Sequence, residues 1–212
     1  MHIAVLVYGR LNKCVEHYST IVSSLDSSNN IIDFFLSSDE PPQELLQEFI
    51  NIYKPVSYIN DKISYSCDFG KYNGLREETK IHNMTCHFIN KSRVFTLLEE
   101  HIETTQVQYD CVISLRVDLL IKSTFIITDI KENTVYIPHD YDFAGGINDN
   151  IAYGNVSSMK KYMNIYNNTT YLLENGMSIP HPENLTRANI TFTNLELIRF
   201  PLTYSICRMS CQ

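Results

Sequence analysis

YDCVISLRVD, residues 109–118, decides the fold. Cys111, Val112, Ile113 and Leu115 read as a buried strand, and a second apolar run, Leu119-Leu120-Ile121, follows it. Arg116 and Asp118 stand between the two. Charged groups avoid a core unless they are paired or bind an ion. Two readings are therefore open. Arg116 and Asp118 close the strand as an ion pair, or Asp118 holds a divalent metal against a phosphate at the carboxyl end of a central strand.

Upstream, residues 3–8 (IAVLVY) form a continuous apolar run rich in β-branched side chains, the pattern of a strand buried on both faces. Gly9-Arg10 ends it. Apolar residues at 11, 14, 15, 18, 21, 22 and 25 then follow helical spacing, so a one-faced helix begins at Leu11. Residues 31–37 (IIDFFLS) are a second strand. Asp39 is placed to cap a helix with Pro41 and Pro42 near its first turn and an apolar stripe of Leu45, Leu46, Phe49, Ile50 and Tyr53. Residues 56–59 are a third strand, which completes the β-α-β-α-β opening of a nucleotide-binding layout. The polar stretch 60–83, with Gly70, Gly74, Tyr65, Phe69 and Tyr72, reads as a long functional loop. A helix over 84–103 carries Phe88, Phe95, Leu98 and Ile102 on one face and leads into the stretch quoted above.

Downstream the alternation changes. Residues 124–128 and 134–137 read as short strands, 151–154 as another, and 157–166 as a helix striped by Met159, Tyr162, Met163 and Tyr166. Residues 167–178 are loop or ragged helix, His181-Pro182-Glu183 opens a short helix, and 190–208 alternates as strands. The expectation is an α/β fold in one domain over 1–212.

A net charge of −7 argues against a general nucleic-acid binder, which shows a basic face. No apolar run reaches membrane-spanning length, so no membrane span is expected. MHIAVLVYGR has no basic segment before its short apolar run and no cleavage site after it, so it is read as a first strand rather than a signal peptide. The six cysteines contain no CxxC pair, and Cys14 and Cys111 fall in core patterns. Free thiols and a cytoplasmic setting are expected.

In an open α/β sheet, ligands bind beyond the carboxyl ends of the strands. That edge receives Tyr8, to stack on a base, Gly9, to let backbone approach a ligand, and Arg10, to neutralise phosphate. Asp39 either accepts from a base or ribose or caps its helix. Arg116 and Asp118 follow, then the segment 139–149, rich in Asp140, Asp142, Asp149 and aromatics, where Gly145-Gly146 can line a sugar. Asp149 is placed to accept the proton of an acceptor hydroxyl, although any single aspartate of that segment also suits a solvated turn. Lys80 and His82 are candidate phosphate contacts; Lys91, a third, reads better as surface charge. His181 and Glu183 sit at a helix start, where Glu183 complements the dipole.

The first half, the strand ending Arg116-x-Asp118, the Asn148-Asp149-x-x-Ala152-Tyr153-Gly154 segment, His181-Pro182-Glu183 and the tail Tyr204-x-Ile206-x-Arg208 together resemble GT-A-fold glycosyltransferases. They are similar in particular to small viral and bacterial surface-polysaccharide transferases, chlorella-virus domains among them. The resemblance implies a Rossmann-like nucleotide-binding half at 1–118, a mixed central sheet and a smaller acceptor-side half at 119–212, with a UDP-sugar donor, a glycan acceptor and a manganese or magnesium ion, within what can be one domain of a longer chain. In that family the metal motif is Asp-x-Asp. Here Arg116 takes the first position, so Asp118 alone matches and Arg116 is turned toward the donor. By the same resemblance Asp149 stands where an inverting enzyme keeps its base, or contacts sugar in a retaining one. Two rivals remain. A sugar-phosphate nucleotidyltransferase would carry more glycines and a lysine after the first strand, where only Gly9, Arg10 and Lys13 occur. A non-catalytic nucleotide- or sugar-binding module is the other. No G-x-G-x-x-G follows the first strand, which disfavours a dinucleotide dehydrogenase.

Overall fold

The structure is a computed structural model and describes residues 1–11, 17–25, 29–66, 69–72 and 78–207. It is α/β, with helices flanking a seven-stranded mixed sheet. Strands β1 (His2–Tyr8), β2 (Ile31–Ser37), β3 (Ser57–Ile59) and β4 (Cys111–Arg116) run parallel in the order β3-β2-β1-β4. A short pair, β5 (Leu119–Ile121) with β9 (Tyr204–Ile206), lies apart from the main sheet. Beyond β4 the sheet continues through β7 (Ile151–Gly154), β6 (Thr134–Pro138) and β8 (Glu196–Phe200). β7 is antiparallel to both β4 and β6, while β6 and β8 are parallel.

β1 shows why its run is unbroken. Ile3, Val5 and Val7 face a core with α1 (Tyr18–Leu25) and α2 (Gln43–Tyr53), through Ile21, Leu46 and Phe49. Ala4, Leu6 and Tyr8 face the opposite core, with Phe95 and Leu98 of α3 (Glu78–Thr105) and Met159 and Tyr162 of α4 (Val156–Met163). A strand covered on both sides has no polar face to present. Burying a side chain such as Leu6 contributes roughly 1.5–3 kcal/mol, and Leu6 is wholly buried. A smaller core joins the first turns of α3 to α5 (Ile165–Glu174) and α6 (Pro182–Phe192), through Met84, Phe88, Leu172 and Leu185.

Several boundaries differ from the sequence reading. The first helix is seen from Tyr18. Cys14 and Val15 of its expected stripe lie outside the described residues, as do Lys13, Cys67, Gly74, Arg208 and Cys211. α3 is already helical at Glu78, inside the expected loop. Residues 124–128 form no strand: Phe125 and Ile127 pack onto the core by their side chains, and the Phe125 amide bonds the Ser24 carbonyl at 2.8 Å. Of residues 167–178, expected as loop or ragged helix, 167–174 are helix as part of α5, and residues 190–192, expected as strand, are the last turn of α6. Asp39 does not cap α2, whose N-cap is Pro42 without a side-chain bond; Asp39 Oδ1 accepts the Ile63 amide at 2.7 Å and ties down the chain after β3. Among the described residues no helix is long and apolar enough to cross a membrane.

Two glycines meet hard constraints. Gly9 turns the chain out of β1 at φ +123°, a region that penalises any Cβ. Gly146 lies against the start of α6: a Cβ there would come within 2.2 Å of the Glu183 carbonyl carbon and 2.4 Å of the Asn184 nitrogen. Gly146→Ala is therefore expected to cost about 1–3 kcal/mol by overpacking, measured as a lower urea midpoint; an unchanged midpoint would mean that α6 yields freely.

Candidate functional site

A cleft of about 1250 Å³ runs along the carboxyl ends of β1, β2 and β4. Tyr8, Gly9 and Arg10 enter it from β1, Asp39 from β2, and Arg116, Val117 and Asp118 from β4. The first turns of α3 add Lys80, His82, His87 and Asn90, and residues 141–143, 149–150 and 181–183 form the remaining wall. The antiparallel entry of β7 explains the last group. Leu115 pairs with Ile151, so the chain entering β7 lies beside the chain leaving β4. That register brings Asp149 and Asn150, more than thirty residues further along the sequence, next to Arg116.

Arg116 is held on three of its nitrogens. Nε donates to Asp118 Oδ1 at 3.0 Å, Nη2 to Asp118 Oδ2 at 2.5 Å and Nη1 to Asn150 Oδ1 at 3.1 Å. Bidentate pairing of this kind is among the stronger charge-assisted contacts. Asn150 also donates to the Tyr204 hydroxyl at 3.3 Å, and Asn148 donates to the same oxygen at 2.7 Å. Strand β9 thus braces the fork from behind. Burial works against the Arg116 charge, but Asp118, Asp149 and Tyr8 outweigh it and raise its pKa.

Asp149 sits beneath this fork, 5% exposed, with Oδ2 3.0 Å from His87 Nε2. The separation is short enough for a close polar contact between the carboxylate and the ring. Burial favours the neutral acid. The surrounding His87, Lys91 and Arg116 outweigh burial and hold Asp149 well below its ordinary 3.8. For His87, burial dominates and lowers the pKa despite Asp149. The pair is therefore a carboxylate beside a neutral imidazole, and the carboxylate favours the tautomer with its proton on Nε2. Lys91, expected on the surface, is instead 1% exposed and donates to the Tyr162 hydroxyl at 3.1 Å. Burial pushes its pKa down to about 8. It lies behind the cleft wall, 5.7 Å from the Tyr8 ring centre.

The fold brings together Tyr8, Gly9, Arg10, Asp39, Lys80, His82, Arg116, Asp118, Asp149, His181 and Glu183. Tyr8 takes a different part from base stacking: its ring is fully buried, and its hydroxyl donates to the Asp149 carbonyl at 3.1 Å. Burial, reinforced by Asp149, keeps that hydroxyl protonated. Gly145 and Gly146 are not among the cleft-lining residues; Gly145 is an exposed turn at φ +76°, and Gly146 packs on α6. Asp142 is committed to Arg199 through both oxygens, at 2.9 and 3.0 Å. His87 is the residue the sequence reading passed over. Its signal was the polar series Lys80, Asn83, His87 and Asn90, which follows helical spacing on one face of α3.

The expected divalent ion does not fit this donor set. Both Asp118 oxygens are turned to a guanidinium, and a dication placed there would meet a like charge at contact distance. Among the described residues no three His, Cys, Asp or Glu side chains form a group able to cage a metal.

The depressed pKa of Asp149 has a signed consequence. Its stabilisation is fully present above 3.8 and is lost as pH falls below that value. Asp149→Asn is expected to cost about 3 kcal/mol at neutral pH, because it strands buried cations. It should also flatten the acid limb of stability against pH, measured by urea denaturation between neutral pH and pH ~3; an acid limb as steep as in the parent would locate the titration elsewhere. No protein-family model matches the chain, and no curated protein matches its sequence.

Proposed function

We propose that the cleft transfers a sugar from a nucleoside-diphosphate donor, UDP-linked, to a glycan hydroxyl, on a GT-A-like arrangement of the sheet. The observation that supports this most is the presence in one cleft of two arginines, Arg10 and Arg116, and an imidazole backed by a buried carboxylate, His87 with Asp149. Transfer needs both. Negative charge grows on the leaving diphosphate, and fixed cations stabilise it. The acceptor hydroxyl must lose a proton as it attacks.

In the step, the acceptor oxygen bonds to the anomeric carbon, and the bond from that carbon to the phosphate oxygen breaks. The electron pair leaves with the nucleoside diphosphate. The acceptor proton passes to His87 Nδ1, since Nε2 faces Asp149. Asp149, expected from the sequence to be the base itself, acts here as a positioning residue: only 6% of its side chain is exposed, and that side chain faces the imidazole. Burial keeps His87 neutral and ready to accept.

Incubation with UDP-sugars is expected to release UDP slowly in the absence of acceptor. His87→Gln should lower kcat at least ~100-fold while the donor KM stays within about threefold. Asp149 raises the His87 pKa, so Asp149→Asn should move the acid limb of the kcat profile to lower pH. Parent-like turnover in His87→Gln would overturn the base assignment, and no release of nucleoside diphosphate from any sugar nucleotide would overturn the transferase reading.

A further inference from the structure

We infer that the donor diphosphate is neutralised by the protein's own guanidinium groups, so that nucleotide binding and transfer proceed without a divalent ion. The inference rests on the nucleotide-sugar reading of the cleft.

Five carboxylates line the cleft, and each already has a partner. Asp39 accepts the Ile63 amide. Asp118 is taken up by Arg116 and Asp142 by Arg199, each through both oxygens. Asp149 lies 3.0 Å from His87 Nε2, and Glu183 lies 2.7 Å from His181 Nδ1. A hard dication is held in nucleotide sites by carboxylate oxygens turned toward the phosphates. Here the carboxylates are turned toward protein donors, and the one at Asp118 orients the Arg116 guanidinium.

Arg116 spends one N–H from each of its three nitrogens on Asp118 and Asn150. Each terminal nitrogen keeps a second N–H, and the side chain lines the cleft. An unused N–H on a fixed guanidinium plane can donate to a phosphate oxygen. Asp118 and Asn150 fix the plane beforehand, so little conformational freedom is lost when the anion arrives. Arg10, exposed at the end of β1, adds a second guanidinium along the same edge. A divalent ion at Asp118 would have to break the bidentate pair that orients Arg116. At this point of the cleft it is the guanidinium, not the carboxylate, that is offered to a ligand, although the chain as a whole carries −7.

The test is calorimetric titration of UDP into the protein in EDTA and again in manganese. The Kd values are expected to agree within about threefold, and Arg116→Met should weaken UDP in EDTA at least ~10-fold. Circular dichroism checks that the variant is folded; Arg10→Gln, at the exposed rim, provides the same comparison should Arg116→Met not fold. Binding only in manganese, or unchanged affinity in a folded arginine variant, overturns the ion-free assignment and leaves the nucleotide-sugar reading standing. Failure to bind UDP or any other nucleoside diphosphate in either buffer overturns both.

Discussion

A guanidinium at the end of a buried strand must be neutralised, and around Arg116 that requirement draws in three separate parts of the chain. Asp118 supplies the counter-charge from the same strand end. Asn150 reaches it because β7 enters antiparallel to β4. Tyr204 reaches Asn150 because β9 pairs with β5 just beyond the fork. Removing either charge of such a pair leaves the other stranded in a half-buried setting. The fork is thus a structural joint between the parallel strand β4 and the antiparallel strand β7, and it also lines the cleft.

The same economy of charge runs behind the cleft wall. Lys91 is buried among Tyr8, Tyr162 and the field of Asp149, a position that a lone ammonium would not tolerate without an anion near it. Asp149 in turn remains ionised because Lys91 and Arg116 flank it. Each ion makes the other's burial possible. His87 sits within this balance, its Nε2 3.0 Å from Asp149 Oδ2.

Much of the parallel half was legible in the amino-acid pattern, because a strand buried on both faces and a one-faced helix leave strong, opposite signatures. Ile3 to Tyr8 and the Leu46–Phe49–Tyr53 stripe are such cases. The second half was harder to read. Residues 124–128 have a strand's composition, but only Phe125 and, in part, Ile127 are buried, by side-chain packing without a ladder, and periodicity cannot tell the two cases apart. The arrival of Arg10, Asp39, Arg116 and Asp149 at one edge followed from the strand ends. The burial of Lys91 did not, since a lysine on a long helix is ordinarily solvated and only the packing of Tyr8 and Tyr162 over it closes the site. His87 was missed for a related reason: its chemistry depends on a carboxylate 62 positions away that only the β4–β7 register brings near.

β1 is first in sequence yet central in the sheet, and its partner on one side, β4, begins at Cys111, paired with Ile3. Until β4 is made, that side of β1 is a bare row of amide and carbonyl groups on an apolar strand. Such an edge invites pairing with another chain. The hazard therefore falls during synthesis and refolding, when about half of the chain must wait for the other before its most hydrophobic strand is covered. The cleft, which needs both halves, becomes competent only at the end of that process.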